Sequence, residues 1–199
     1  MRPALILPAI FVSVAAQAAS LTVTVRDARG TVLRDAVVYA IPERKEPAAK
    51  QTATMDQKNR MFVPHVLPIQ TGTAVRFPNS DDIRHQVYSF SSPKPFQLPL
   101  YRGTPAQPVV FDKAGVVSLG CSIHDRMSAF IVIVDTPYFQ KSAVNGAAAL
   151  TGLRPGKYTV RLWHSDMRAE PPAQIVTVSD DDRLALSFAV STRGFHAGS

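Results

Sequence analysis

The stretch Gly115-Val116-Val117-Ser118-Leu119-Gly120-Cys121-Ser122-Ile123-His124-Asp125-Arg126-Met127-Ser128-Ala129-Phe130-Ile131-Val132-Ile133-Val134 decides how this chain is read. Its two apolar runs, Gly115 to Leu119 and Ala129 to Val134, are rich in β-branched residues and too short for ordinary helices, so both are predicted strands. Between them a short loop carries a thiol, an imidazole and a thioether in the order C-x2-H-x2-M. A chain reversal at the end of a strand can point Cys121, His124 and Met127 toward one centre.

Cys121 is the one cysteine of the chain. The N-terminus begins Met1-Arg2-Pro3, runs through an apolar segment from Leu5 to Ala16 and ends in Ala16-Gln17-Ala18. That pattern predicts a signal peptide over residues 1–18 and export to the periplasm. A lone thiol in an oxidising compartment is an inert buried group, half of an intermolecular disulfide, or a metal ligand. The neighbouring His124 and Met127 favour the metal. A second imidazole, His85, lies in Asn79-Ser80-Asp81-Asp82-Ile83-Arg84-His85.

Two His, one Cys and one Met are the donors of trigonal His2Cys copper sites with a weak axial Met. Thiolate and thioether suit Cu(I), imidazole tolerates both oxidation states, and a pre-shaped site limits rearrangement when an electron moves. The expected cofactor is one type 1 copper on His85, Cys121, His124 and Met127. A thioether also serves as core filling, and zinc accepts the same thiolate and imidazoles. His65, His164 and His196 read as structural or exposed, with His65 the nearest of them to a ligand role.

Outward from this loop, the composition is that of an all-β protein: sixteen Pro and ten Gly, with no helical periodicity of useful length after residue 18. Leu21 to Asp27 alternates apolar and polar residues, and Thr31 to Ile41 resumes after a break at Asp27 to Gly30. Pro42 to Asn59 is polar and charged and reads as a mobile connection. From Arg60 a second core begins, with strands predicted at Thr73 to Phe77, Ile83 to Phe90, Val109 to Phe111 and in the two runs around the loop. Beyond Asp135 the Asn145-Gly146 turn, Lys157 to Trp163, Gln174 to Val178 and Arg183 to Val190 supply further strands.

The loop Cys121 to Met127 resembles that of the blue copper cupredoxins, within them the amicyanin and plastocyanin group. Asn79, six residues before His85, fits the same group. The resemblance implies a cupredoxin Greek-key β-sandwich over residues 60–135, a role for Asn79 in tying the two ligand loops by hydrogen bonds, and His124 as the solvent-edge ligand. The wider set Phe77-Pro78-Asn79, Val87 to Phe90, Leu100-Tyr101 and Asp135 to Phe139 resembles longer proteins described as plastocyanin-like or methylamine utilisation proteins. Gln86 and Arg126 depart from that longer group, where His and Trp are more usual, and Arg126 makes cationic a surface that an aromatic would make apolar. Val25 to Val38 and Asn145 to Val160 resemble carboxypeptidase-regulatory or transthyretin-like strands. They imply a second small β-sandwich from residues 20–50 and 136–190, with the copper unit inserted within it or packed beside it. The other arrangement gives the first strands to the copper barrel and leaves only the C-terminal stretch as an appendage.

The functional expectation is a carrier of single electrons between redox partners. Copper storage, delivery or sensing by the same ligands is the alternative, and a cell-envelope partner bound by the flanking sandwich is a third. No enzyme is expected, because the chain has five His and no H-x-H pair, H-E-x-x-H segment or Gly-rich phosphate loop. The net charge of +7, with Arg84 and Arg126 beside the ligands, suits an acidic docking face on a redox protein. Basic residues scattered singly speak against nucleic acid. After residue 18 no apolar run reaches the roughly 18 residues that a membrane-spanning helix needs.

Overall fold

The computed structural model describes residues 19–105, 107–124 and 126–193, and all regular structure in them is β. The predicted signal peptide lies outside the described residues. In chain order the strands are β1 (Ala19–Asp27), β2 (Val37–Pro42), β3 (Thr52–Thr54), β4 (Asp56–Lys58), β5 (Met61–Val63), β6 (Val66–Gln70), β7 (Thr73–Arg76), β8 (Tyr88–Ser89) and β9 (Phe96–Gln97). They continue as β10 (Val109–Phe111), β11 (Gly115–Gly120), β12 (Ser128–Val134), β13 (Phe139–Lys141), β14 (Ala147–Leu153), β15 (Gly156–Trp163), β16 (Gln174–Val178) and β17 (Arg183–Val190).

The two ends of the chain pair with each other. β1 lies between β14 and β17, antiparallel to the first and parallel to the second. β2 lies between β13 and β15, with β16 at the edge. The middle of the chain builds a sheet in the order β6-β12-β11-β8-β9 and a smaller one, β10-β7-β3, with β4 and β5 as a separate hairpin.

Side-chain alternation dictates how these sheets stack. In β1 the residues Leu21, Val23 and Val25 are fully buried while the intervening positions are not, the period of two that a strand imposes. They form an outer core with Val38 and Ala40 of β2, Leu150 of β14, and Val160 and Leu162 of β15. β12 has no such alternation after Phe130, because both of its faces are covered. Ala129, Ile131 and Ile133 join an inner core with Val75, Phe111, Val117 and Leu119. Val132 and Val134 pack the other way, with Val37 and Val66, against Tyr39 and Trp163. The unbroken apolar run of β12 is therefore that of a strand sandwiched between two layers, and each such buried side chain contributes on the order of 1.5–3 kcal/mol.

Two parts of the chain differ from expectation. Within the supposed connection Pro42 to Asn59, Thr52–Thr54 pairs with β7 and Asp56–Lys58 with β5, while Met55 is fully buried in the inner core. Three-residue strands are too short to stand out from a polar background. The strand predicted from Ile83 to Phe90 shrinks to Tyr88–Ser89, and His85 is held by an isolated bridge to Tyr101 instead. Turn chemistry was more legible: Gly146 takes φ 76°, and Asn145 Oδ1 accepts the amide of Ala147 at 3.0 Å.

Candidate metal centre

The loop after β11 is pinned at both ends, since Gly120 and Ser128 are register partners in the β11–β12 ladder. Gly120 also faces Tyr88, where a Cβ would lie 2.7 Å from the ring carbon Cζ. Glycine therefore lets the tyrosine ring close over the strand end. Cys121 follows at 5% exposure, and within the loop the Met127 amide donates to the His124 carbonyl at 2.9 Å. Met127 is 2% exposed and shares the inner core with Cys121.

His85 is completely buried and arrives from the bridge to Tyr101, in which each amide donates to the other carbonyl, at 3.1 and 3.0 Å. Its Nδ1 lies 4.0 Å from Cys121 Sγ, and its ring centroid lies 5.0 Å from that of His124. One ligand atom from each of His85, Cys121 and His124 falls within 4.8 Å of the others. Buried polar atoms are normally paired, yet among the described residues His124 Nδ1 is buried without a hydrogen-bond partner. A buried nitrogen so placed, beside a thiol and a second imidazole, could serve as a metal ligand.

The spacing fits a metal. Bonds of about 2.0 Å to nitrogen and 2.3 Å to sulfur, arranged trigonally, separate the donors by about 3.7 Å. The observed 4.0 Å between Nδ1 and Sγ is close to that value. Of the four residues read from the sequence as ligands, three are thus gathered directly, and Met127 is buried at the end of the same loop.

The surrounding hydrogen bonds hold the His85 side of the cluster. Asn79 Nδ2 donates to the carbonyls of Ile83 at 2.9 Å and Tyr101 at 2.8 Å, and its Oδ1 accepts the Asp81 amide at 3.1 Å. These bonds join the His85 loop to the Tyr101 segment. These are the side-chain bonds that Asn79 makes among the described residues. The Tyr101 hydroxyl donates to the Phe77 carbonyl at 2.7 Å and accepts from Gln57 Nε2. Burial pushes the Tyr101 phenol up to about 12, the Gln57 bond works against the shift, and the charges of Asp56 and Cys121 add to it.

Asp81 had no role in the sequence reading. Its Oδ2 is 2.7 Å from His85 Nε2, the ring nitrogen turned away from the cysteine. Burial alone would raise the Asp81 carboxyl, but the Arg60 amide, the His85 ring and the Asn59 amide outweigh it and leave the pKa lowered. An acid four residues before a candidate ligand was the one available signal, and that spacing says little outside a helix.

His65 and His164 stand apart from this cluster. His65 is exposed, with Nδ1 3.1 Å from the Ser128 carbonyl and its ring edge-on to Phe130. His164 bonds the Arg34 carbonyl through Nε2 and accepts the Asp166 amide at Nδ1, both at 3.1 Å. His196 lies outside the described residues. His124 is the least buried of the three clustered donors; Ile123 and Arg126 near it in sequence are exposed, and so is Arg84, the residue before His85.

No family model and no curated protein matches the chain. Solved structures do. One is the copper-containing nitrite reductase of Thermus scotoductus SA-01, at 28% identity and TM-score 0.40 over 46% of this chain and 23% of that one. A purple cupredoxin from Nitrosopumilus maritimus matches at 22% identity and TM-score 0.37, over 41% of this chain and 99% of that one. An amicyanin variant in its reduced Cu(I) form matches at 18% identity and TM-score 0.39, over 48% of this chain and 99% of that one. This chain spans less than a quarter of the reductase. Among the described residues no helix is long and apolar enough to cross a membrane.

Proposed function

We propose that this chain is a periplasmic electron carrier whose single type 1 copper is held by His85, Cys121, His124 and Met127. The observation that carries the reading is the donor cluster with its bare His124 nitrogen. Copper bound there would take one electron from a donor and give it to an acceptor, alternating between Cu(II) and Cu(I). The protein's part is to hold the donors in place. Cys121 and His85 are shut away from water, which protects the thiolate from oxidation and limits rearrangement between the two states.

His124, the more accessible donor, marks the face at which a partner would exchange electrons. Exposed Arg84 and Arg126 would give that face a positive field, favouring an acidic redox protein and a brief, salt-sensitive encounter. A carrier is preferred to an enzyme because the sequence adds no second histidine cluster to this one. The unit of residues 60–135 is proposed to be inserted between residues 20–50 and 136–190. Pairing of β1 with β14 and β17 supports that division, and the likeness of the outer strands to transthyretin-like domains is part of the same proposal.

The test is the visible spectrum of the Cu(II)-loaded protein beside that of Cys121→Ser. An intense thiolate-to-copper band that disappears in the variant is expected. A colourless protein that binds Cu(I) alone would overturn the carrier and favour copper storage or delivery.

A further inference from the structure

The ring of His85 is set from the side opposite to Cys121. Asp81 Oδ2 sits 2.7 Å from Nε2, and the same carboxylate accepts two backbone amides, Asn59 N to Oδ1 at 2.6 Å and Arg60 N to Oδ2 at 2.9 Å. Asn59 and Arg60 form the two-residue turn between β4 and β5, with φ of 55° and 58°. Such a turn matches strand twist but asks both residues to adopt a left-handed backbone, which is unfavourable for Arg. The two amides it presents side by side are what the Asp81 carboxylate closes upon. The Asp81 amide is in turn bonded to Asn79 Oδ1, and the side chain is only 13% exposed.

An ionised carboxylate accepts hydrogen bonds and donates none. The proton shared between Asp81 and the ring therefore belongs to Nε2, and a neutral His85 keeps its lone pair on Nδ1, the atom facing Cys121 Sγ. A ligand histidine whose other nitrogen donates to a carboxylate is oriented by it and made a stronger donor. The negative charge also favours the more highly charged metal state over the lower one.

We propose that Asp81 is a positioning residue for the metal centre: clamped by the β4–β5 turn, it selects the His85 tautomer that frees Nδ1 and biases the centre toward its oxidised form. This rests on the copper reading above. Reduction of a copper held there would take one electron from the partner, with no proton transfer in the proposed step.

Two measurements test the idea. In the metal-free wild-type protein, nitrogen NMR of the His85 ring is expected to show the proton on Nε2; a proton on Nδ1 overturns the proposal without any variant or metal. In Asp81→Asn, which keeps an oxygen acceptor but loses the charge, Cu(II) affinity is expected to fall about tenfold relative to Cu(I). The reduction potential then rises by about 59 mV, while the visible band persists. Asp81→Glu should move the potential back toward wild type. A band present in both proteins with equal potentials overturns the role of Asp81 alone, whereas a wild-type protein with no thiolate-to-copper band overturns the copper reading and this proposal with it.

Discussion

The outer core, built from β1, β2 and the C-terminal strands, and the inner core behind Cys121 use the same short strands but differ in how completely their buried polar groups are paired. In the outer region every such group is satisfied by nearby backbone. Asp27 accepts the amides of Arg29 and Thr31, Thr136 donates to the Ala40 carbonyl, and Ser142 both accepts from Ala36 and donates to Leu33. In the inner region most are bonded too, but among the described residues Gln57 Oε1 and His124 Nδ1 are buried with no partner. Leaving a buried polar atom unpaired costs about 1–3 kcal/mol. The outer polar groups tie loops to strands, and the inner region leaves a His124 nitrogen unpaired, among the described residues, beside a thiol and a second imidazole.

The largest expected effect follows from that contrast. Copper at a thousandfold excess over its dissociation constant should stabilise the state that holds it by about 4 kcal/mol. Hydrogen exchange can read the two regions separately. Amides of Ala129 to Val134 should gain protection on loading, and those of Leu21 to Val25 should gain less, passing only through the seam where Val132 and Val134 meet Val37. Equal gains in both places would break the comparison and make the molecule one cooperative unit. The single tryptophan, Trp163, stacks on Phe130 in that seam at 5.1 Å, so its fluorescence reports the junction.

A smaller effect probes the other side. Leu150 is 1% exposed in the outer core, and Leu150→Ala should destabilise the protein by about 3 kcal/mol through lost burial and a cavity. The visible band and potential of the copper-loaded protein should not move, because no donor or donor-holding hydrogen bond touches that core. A shifted potential in the folded variant would show that the seam transmits packing to the centre, and the two regions would no longer be separable.

How much of this was legible in the sequence depended on whether chemistry or mere pattern marked the residues. Cys121 and His124 stand on one short loop between two evident strands, so their approach could be read from spacing, and Met127 at the end of that loop is buried in the same core as Cys121. His85 needed more, since the strand expected around it is a single bridge to Tyr101, yet a second imidazole was required and few were on offer. Asp81 and the β4–β5 turn were not legible. A polar stretch with two three-residue strands has too little alternation to register, and Asn59 and Arg60 do not announce a left-handed turn as Asn145-Gly146 does. The pairing of chain ends was half visible: the alternation in β1 marked a strand, but nothing local said that its neighbours would be β14 and β17.

The smallest expected effect comes from acid and concerns the outer region. Burial alone would raise the Asp27 carboxyl; the amides of Thr31 and Arg29, with the Arg29 guanidinium, outweigh it and leave the pKa below the ordinary value. A carboxyl with a lowered folded-state pKa binds fewer protons folded than unfolded, so its contribution is complete above the unfolded value, about 3.9, and fades as pH falls through the folded one. In metal-free protein, Asp27→Asn should therefore lower stability at neutral pH and flatten its decline in acid, because the variant has no charge to lose there. Denaturant midpoints taken down the acid range for both proteins measure this directly. Parallel declines would mean that the Asp27 loop draws its stability from packing alone, and that pairing its carboxylate does little for the fold.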